Sequence, residues 1–264
     1  MTVRSIPQGL APLLEALELD QPRVVTSTAL ADYARAAGVE WPTNVIAQRL
    51  RERGWLLPLL TRGVWEFAPA ARAGAFRAGD PFIELRAVLA RDPDAPLAVA
   101  AESAAYLLGL ASRRPEAEAI GAPPGFRVPR SLAAFRVVRW APVSPITHRD
   151  GLPVWGPATL LAFMASRPSA YHDWPNVGEW LPEAASSVTP DGLVDELEDR
   201  SPGSWARAAY VLERGGSADT ARALAACAPK GAGPHYLGDR TLSGRYDARY
   251  DVIDSTGFEV TSSP

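Results

Sequence analysis

Polar side chains that could contact nucleic-acid bases recur at helical spacing near the N-terminus. Asn44, Gln48 and Arg51 stand four and then three residues apart, so they share one face of a predicted helix. In the major groove of DNA, Asn and Gln can bond the edge of adenine, and Arg can bond guanine. The residues beside or just beyond this face are Thr43, Arg49 and Arg53. Because a solvated helix shows the same residue types, the charge distribution and the neighbouring elements must decide between the two interpretations.

Charge is unevenly distributed along the chain. The 264 residues include 27 Lys and Arg and 30 Asp and Glu, a formal net charge of −3, which argues against a protein that coats itself in nucleic acid. Between residues 41 and 77, however, six arginines stand against two glutamates, a local net charge of +4. These arginines are Arg49, Arg51, Arg53, Arg62, Arg72 and Arg77. Lys230 is the only lysine, which we attribute mainly to a GC-rich coding sequence; the location of the arginines carries the functional information.

The elements around the polar face follow a recognisable order. Apolar spacing predicts a first helix whose buried face comprises Ile6, Leu10, Leu13, Leu14 and Leu17. A short strand at Val24–Thr26 precedes a second helix, for which Ser27 or Thr28 supplies the cap and Gly38 the end. A third helix begins at Pro42 and runs to Arg53.

The third helix leads into a predicted β-hairpin with Arg62 in its turn. Trp55–Leu60 and Val64–Phe67 flank this glycine-bearing turn, and Pro58 confines its strand to an edge or a bulge. The whole order is that of a winged helix-turn-helix, whose second motif helix enters the major groove. Arg62 would then reach a flanking phosphate or the minor groove. A winged helix used only for protein contact is the alternative, and the +4 region favours DNA.

The faces of the third helix complete this prediction. Val45, Ile46 and Leu50 are expected to pack inward, and Ala47 is expected on the outward face with Asn44, Gln48 and Arg51.

The remainder of the chain predicts a larger mixed α+β domain. Small residues at 68–80 indicate a linker, so we expect a winged-helix domain at residues 1–78 and a second domain at residues 79–264. Helical patterns are predicted at Pro81–Leu89, Ala98–Leu110, Pro157–Arg167, Gly178–Leu181, Gly192–Leu197 and Trp205–Arg214. Strands are predicted at Phe126–Val128, Phe135–Trp140, Leu152–Trp155 and within Tyr246–Val260.

Catalytic and metal-binding patterns are absent from the sequence. There is no glycine-rich phosphate loop, nucleophile elbow or zinc-protease motif, and the three histidines are isolated. Ser144, His148 and Asp150 are close only in sequence, which does not make a triad. The acidic run at residues 191–199 is interpreted as a solvated helix face. We expect no enzyme activity, cofactor, metal or membrane span, and a cytoplasmic location.

A set of short motifs in a fixed order resembles the AbiEi antitoxins of type IV toxin–antitoxin systems, actinobacterial members especially. The N-terminal motifs are Ile46, Arg49-Leu50, Arg53-Gly54-Trp55-Leu56 and Arg62–Pro69. The others are Glu102–Leu110, Gly151–Trp155, Pro157–Leu161, Ala208–Glu213, Leu237-Gly238, Asp247, Tyr250, Val252 and Asp254. The resemblance covers most of the chain.

The resemblance implies a non-enzymatic protein encoded beside a nucleotidyltransferase-like toxin. Its winged helix would bind inverted repeats in promoter DNA and repress the operon, and its C-terminal domain would be required to counteract the toxin. Asn44, Gln48, Arg49 and Arg51 would then lie in the groove and Arg62 on the wing. The alternatives are an enzyme acting on nucleic acid or nucleotides, targeted by the winged helix, and a transcription regulator without a toxin.

Overall fold

The three predicted N-terminal helices are present, with ends that local chemistry accounts for. In the computed structural model, which describes residues 5–71 and 79–260, helix α1 spans Ala11–Asp20, α2 spans Ser27–Ala36 and α3 spans Thr43–Glu52. The prediction that Ile6 joins the apolar face of α1 is wrong, because Pro12 sets the start of the helix and leaves Ile6 before it, 59% exposed.

Capping explains how α2 begins and ends. Thr26, rather than Ser27 or Thr28, caps the helix: its Oγ1 accepts from the N–H of Ala29 at 3.0 Å, while Ser27 is already helical. Gly38 follows the last turn at φ +67°. Its N–H donates to the carbonyl of Arg35, and the next N–H along the chain donates to that of Ala34. This paired bonding ends the helix and leaves a short turn before α3.

A small antiparallel sheet packs with these helices. Strands β1 (Val24–Thr26), β2 (Leu56–Pro58) and β3 (Val64–Phe67) pair in the order β1-β3-β2. Pro58 therefore lies on an outer strand, as predicted, where its missing N–H interrupts no inner ladder. The shared core comprises Leu10, Leu13, Leu14, Leu17, Val25, Leu30, Ala34, Ile46, Ala47, Leu50, Trp55, Leu56 and Phe67.

The chain forms two compact units, and the first is larger than its helices and hairpin. It comprises residues 1–95 and 128–134, and includes helix α4 (Ile83–Arg91), which packs on β1 and β3. The unit thus extends past the predicted boundary between residues 78 and 79. That boundary adjoins residues 72–78, which lie outside the described residues and include the predicted cations Arg72 and Arg77.

The second unit comprises residues 96–127 and 135–264 and is built on a five-stranded mixed sheet. Its strands are β4 (Ala98–Val99), β5 (Ala119–Ala122), β6 (Arg136–Arg139), β7 (Thr147–Arg149) and β8 (Leu152–Val154), in the order β6-β5-β4-β8-β7. The helices are α5 (Ala101–Leu107), α6 (Pro157–Ser166), α7 (Trp174–Ser186), α8 (Pro190–Leu197), α9 (Pro202–Arg214) and α10 (Ala218–Cys227). A mixed α+β fold is confirmed.

A second, three-stranded sheet follows α10. Strands β9 (His235–Leu237), β10 (Arg245–Asp247) and β11 (Val252–Asp254) pair in the order β10-β11-β9. Only part of the tail predicted as strand is therefore extended. Two further predictions are wrong: Phe126–Val128 is not a strand, and the helix predicted from Ala98 is preceded by β4.

Candidate nucleic-acid interface

Helix α3 presents one face to the core and the opposite face to solvent. Ile46 and Leu50 are buried as predicted, and Val45 is only half-buried. Ala47 is buried as well, which corrects its predicted place on the outward face; it lies at the edge of the buried stripe and its small side chain joins the core. The exposed residues of α3 and of the position after it are Asn44, Gln48, Arg49, Arg51, Glu52 and Arg53, while Thr43 is half-buried at the first turn.

The contacts of these exposed side chains set their directions. Gln48 Nε2 donates to Glu52 Oε1 at 2.9 Å, so a carboxylate that the sequence prediction left out lies on the same face as the amide. The guanidinium of Arg49 lies 4.6 Å from the ring centroid of Trp41, a cation–π contact that leaves its charge in place. Arg53 Nη1 donates to Ser5 Oγ at 2.8 Å. The spacing of Gln48 and Glu52, four residues apart on a helix, was the signal for the missed pair.

A shallow hollow of about 520 Å³ brings some of the predicted residues together. It is lined by Pro7, Gln8, Val45, Gln48, Arg49, Glu52 and Arg53. Thr43, Asn44 and Arg51 lie on α3 outside this hollow, and Arg62 lies on the β2–β3 hairpin. The predicted residues are therefore divided between the exposed face of α3 and the hairpin turn, and they do not line one pocket.

The hairpin that carries Arg62 is held at both sides of its turn. Gly63 has φ +77°, and its carbonyl accepts from the N–H and the hydroxyl of Ser27 at 2.9 and 3.1 Å. On the other side, the Glu84 carboxylate accepts from the N–H of Leu60 at 2.8 Å and the hydroxyl of Thr61 at 3.4 Å. The turn thus has a defined conformation, with the side chain of Arg62 exposed.

The cations on this surface are not neutralised by carboxylates. Within residues 5–71 and 79–260, Arg49, Arg51 and Arg62 make no ion pair. Glu52, the carboxylate on the exposed face of α3, accepts from Gln48 and forms no ion pair with these arginines, which therefore keep their charge. On α2, burial and the bond from its hydroxyl to Asp20 at 2.7 Å raise the pKa of Tyr33 to about 12.

Two polar side chains of the second unit that the sequence singled out, Glu196 and Ser144, form hydrogen bonds within that unit. Glu196 is 1% exposed, which corrects its interpretation as part of a solvated acidic face. Its carboxylate accepts from the backbone of Val143 and Ser144 at 3.1 and 2.9 Å and from the hydroxyl of Thr159. The hydroxyl of Ser144 bonds the carbonyl of Gly192, and His148 is exposed on β7, so neither takes part in a bonded triad.

A cavity of about 360 Å³ in this unit contains a second buried acid. Glu102, 5% exposed, is bonded to Arg136, and the cavity wall also carries Arg113, Arg114 and Asp173. Because acidic and basic side chains both line this cavity, its charge does not indicate which class of ligand it would bind. In the described part of the chain, no three His, Cys, Asp or Glu side chains group as metal ligands, and none of the helices has the length and apolar character to cross a bilayer.

Comparisons with known proteins bear on both units. Residues 97–214 match the family model described as AbiEi antitoxin C-terminal domain. The whole chain is similar to the crystal structure of the RV2827C protein from Mycobacterium tuberculosis, with a TM-score of 0.77 and 29% sequence identity over 96% of this chain and 94% of that one. A comparison with curated proteins finds no match.

Proposed function

We propose that this chain, in which residues 97–214 match the AbiEi antitoxin C-terminal domain, is an antitoxin of that family that binds the promoter DNA of its own toxin–antitoxin operon and represses it. Helix α3 enters the major groove, and the β2–β3 hairpin contacts the flanking backbone or the minor groove. Inverted repeats are the target that the family resemblance implies. The antitoxin role itself follows from the family domain.

The architecture of the first unit supports its interpretation as a winged helix-turn-helix. The order α1, β1, α2, α3 and a two-stranded hairpin is the order predicted for that fold. Helices α2 and α3 are joined by the short turn that begins at Gly38, as in helix-turn-helix motifs. In such motifs the second helix supplies the contacts to base edges, which here is α3.

The observation that carries the proposal is the combination of residue types and unneutralised charge on α3. Asn44 and Gln48 can bond adenine, and Arg51 can bond guanine through two parallel hydrogen bonds. With Arg49 and Arg62 they form an exposed surface on which no described carboxylate forms an ion pair with an arginine. Thr43 and Arg53 lie at the two ends of α3, and there we propose backbone contacts. A cationic surface attracts the phosphate backbone, while amide and guanidinium groups supply base preference.

We further propose that the second unit counteracts a nucleotidyltransferase-like toxin without catalysis of its own. Support comes from the family match at residues 97–214, most of which belong to that unit. Glu196 and Glu102, the buried acids of the described part of this unit, are bonded inside it, which fits a scaffold better than an acid–base centre. A cytoplasmic location is part of the same proposal.

The test is a titration of the full-length chain with duplex DNA from its own upstream region. Binding should weaken steeply with salt, the log–log slope changing by about 0.9 for each phosphate contact. The variant Arg51→Ala should lose roughly 1–3 kcal/mol of binding free energy and lose preference at one base pair. Arg222→Ala removes a similarly exposed arginine from the second unit and is the control. No shift of this DNA by the parent protein overturns the repressor proposal, and unchanged binding by Arg51→Ala overturns the assigned orientation of α3.

A further inference from the structure

A groove in the first unit lies beside the β2–β3 hairpin, apart from the hollow on α3. Its volume is about 570 Å³. The lining residues come from the first turns of α2, from the hairpin turn and from the end of α4; they are Thr26, Ser27, Thr28, Ala29, Asp32, Arg62, Gly63, Val64, Ala90 and Arg91. The groove is thus lined both by Arg62, which we assign to the DNA surface, and by α4, which the sequence prediction placed in the second domain.

Two arginines from distant parts of the sequence meet in this groove. Arg91 Nη1 donates to the carbonyl oxygen of Arg62 at 3.4 Å, which holds the Arg91 guanidinium beside the hairpin turn. The same turn is fixed to α4 by Glu84, whose carboxylate accepts from Leu60 N and Thr61 Oγ1. These bonds hold the backbone of the hairpin turn against α4 and place the Arg91 guanidinium beside the backbone of Arg62.

Acidic groups do not cancel the charge of this pair. Neither guanidinium makes an ion pair with a described residue. Asp32 is the one carboxylate among the lining residues, and its Oδ1 already accepts from Arg35 Nη1 at 2.7 Å. Thr28 also lines the groove, whereas the hydroxyl of Ser27 donates to the carbonyl of Gly63. Two arginines that line one groove and make no described ion pair suit a phosphate group, since guanidinium matches phosphate through paired N–H donors.

We propose that Arg91 and Arg62 together bind a backbone phosphate of the duplex that α3 contacts, so that α4 is part of the DNA interface. This inference rests on the proposed function and extends it, because Arg91 lies outside the helices and hairpin assigned to the winged helix. A phosphate contact positions the protein on DNA and is independent of the base sequence. Arg91 therefore adds affinity and fixes the register of α3 without adding base preference.

The experiment compares the parent with Arg91→Ala in the full-length chain, on the upstream duplex and on a scrambled duplex of equal length, across a range of salt concentrations. Loss of one charge-assisted contact should weaken binding about tenfold on both duplexes. The log–log salt slope should fall in magnitude by about 0.9. Arg91→Lys keeps the charge and should keep the parent slope, and Arg222→Ala in the second unit should match the parent throughout.

Each outcome separates this inference from the one on which it rests. If the parent does not bind the upstream duplex, the proposed function fails and this inference fails with it. If the parent binds and Arg91→Ala binds equally well with the same slope, the contact of α4 is refuted while the function stands. A loss confined to the upstream duplex also refutes a phosphate contact, because it reveals base preference. Arg91 is exposed, and circular dichroism of each variant verifies that the comparison is between folded proteins.

Discussion

The arginines of α3 and of the hairpin turn differ from Arg86 on α4 and Arg136 on β6 in what their guanidinium groups contact. Arg49 lies over the ring of Trp41, and Arg51 and Arg62 make no ion pair with a described residue. By contrast, Arg86 on α4 donates to Asp80 at 2.7 Å with both side chains 8% exposed, and Arg136 on β6 is bonded to the buried Glu102. One set of guanidiniums is available to a ligand, and the other is part of the folded interior.

The difference shows that the same residue type serves recognition or stability according to its partner. A guanidinium stays charged at all physiological pH values, so a buried one must be paired, whereas an exposed one keeps its hydrogen-bond donors for a ligand. Removing an exposed arginine of α3 or of the hairpin turn should therefore change DNA binding and leave folding intact. Removing one partner of a buried pair should do the reverse.

The largest effect on folding is expected from Asp80. Substitution Asp80→Asn removes the charge that faces the Arg86 guanidinium and leaves that cation buried, which should cost the first unit about 3 kcal/mol of unfolding free energy. Urea unfolding with hydrogen exchange of α4 peptides measures this loss. Arg35→Ala, which breaks an exposed pair with Asp32, is the matched control and should cost far less.

Asp80 also makes stability depend on pH. Burial alone raises the pKa of this carboxyl, but bonds from the backbone of Phe82 and from Arg86 and Arg23 outweigh it and hold the pKa below its usual value. A lowered pKa in the folded state gives stability that is complete above the unfolded-state pKa and is lost as pH falls through the folded-state value. The stability difference between parent and Asp80→Asn should thus be constant near neutral pH and shrink below about pH 4. A difference that does not vary with pH contradicts this account.

A smaller loss of stability is expected in the second unit from Arg136→Ala. Glu102 keeps its bond from the backbone N–H of His172, so part of its buried charge remains compensated and the cost should be about 2 kcal/mol. Hydrogen exchange in β5 and β6 should increase, and DNA binding by the first unit should not change. Arg139, exposed on the same strand and bonded only to carbonyl oxygens in the described structure, provides the control Arg139→Ala. If Arg136→Ala is folded and still binds DNA more weakly, the division between arginines that bind DNA and arginines that stabilise the fold is wrong.

The smallest effect is expected from Glu52, the acid on the exposed face of α3. Replacement Glu52→Gln keeps a partner for Gln48 and removes a charge that repels phosphate, so DNA binding should strengthen by roughly 0.5 kcal/mol. A fluorescence anisotropy titration at low salt detects a change of this size, and the gain should vanish at high salt. Weaker binding by this variant indicates instead that Glu52 accepts a hydrogen bond from cytosine.

Much of the first unit could be predicted because its signals are local. The spacing of Leu10, Leu13 and Leu17 and the glycines at 38 and 54 define helix faces and ends through contacts within a few residues. The predicted helix start was wrong by one residue where neighbouring hydroxyl residues could each serve as the cap: Thr26, rather than Ser27, caps α2. The hydrogen bond between Gln48 and Glu52 could also have been predicted, because residues four apart on a helix lie on the same face.

The second unit was less predictable because its elements depend on distant partners. Strands β4 and β5 are short and rich in alanine, which has little preference for strands. They form because they pair with each other and with their neighbours, and because the ring of Trp155 lies against Gly121, where a Cβ would come within 2.6 Å of it. The burial of Glu196 likewise depends on donors about fifty residues earlier in the chain.

The amino-acid sequence by itself determined that α3 carries an exposed face of Asn44, Gln48 and Arg51 within a basic region, because helical periodicity and charge are properties of a short stretch of chain. Only the tertiary structure decided that Ala47 joins the core, that Glu196 is enclosed by bonds, and that Arg91 lies beside Arg62. Those placements require segments tens of residues apart to meet. Such meetings are set by packing of the whole unit, which no local pattern encodes.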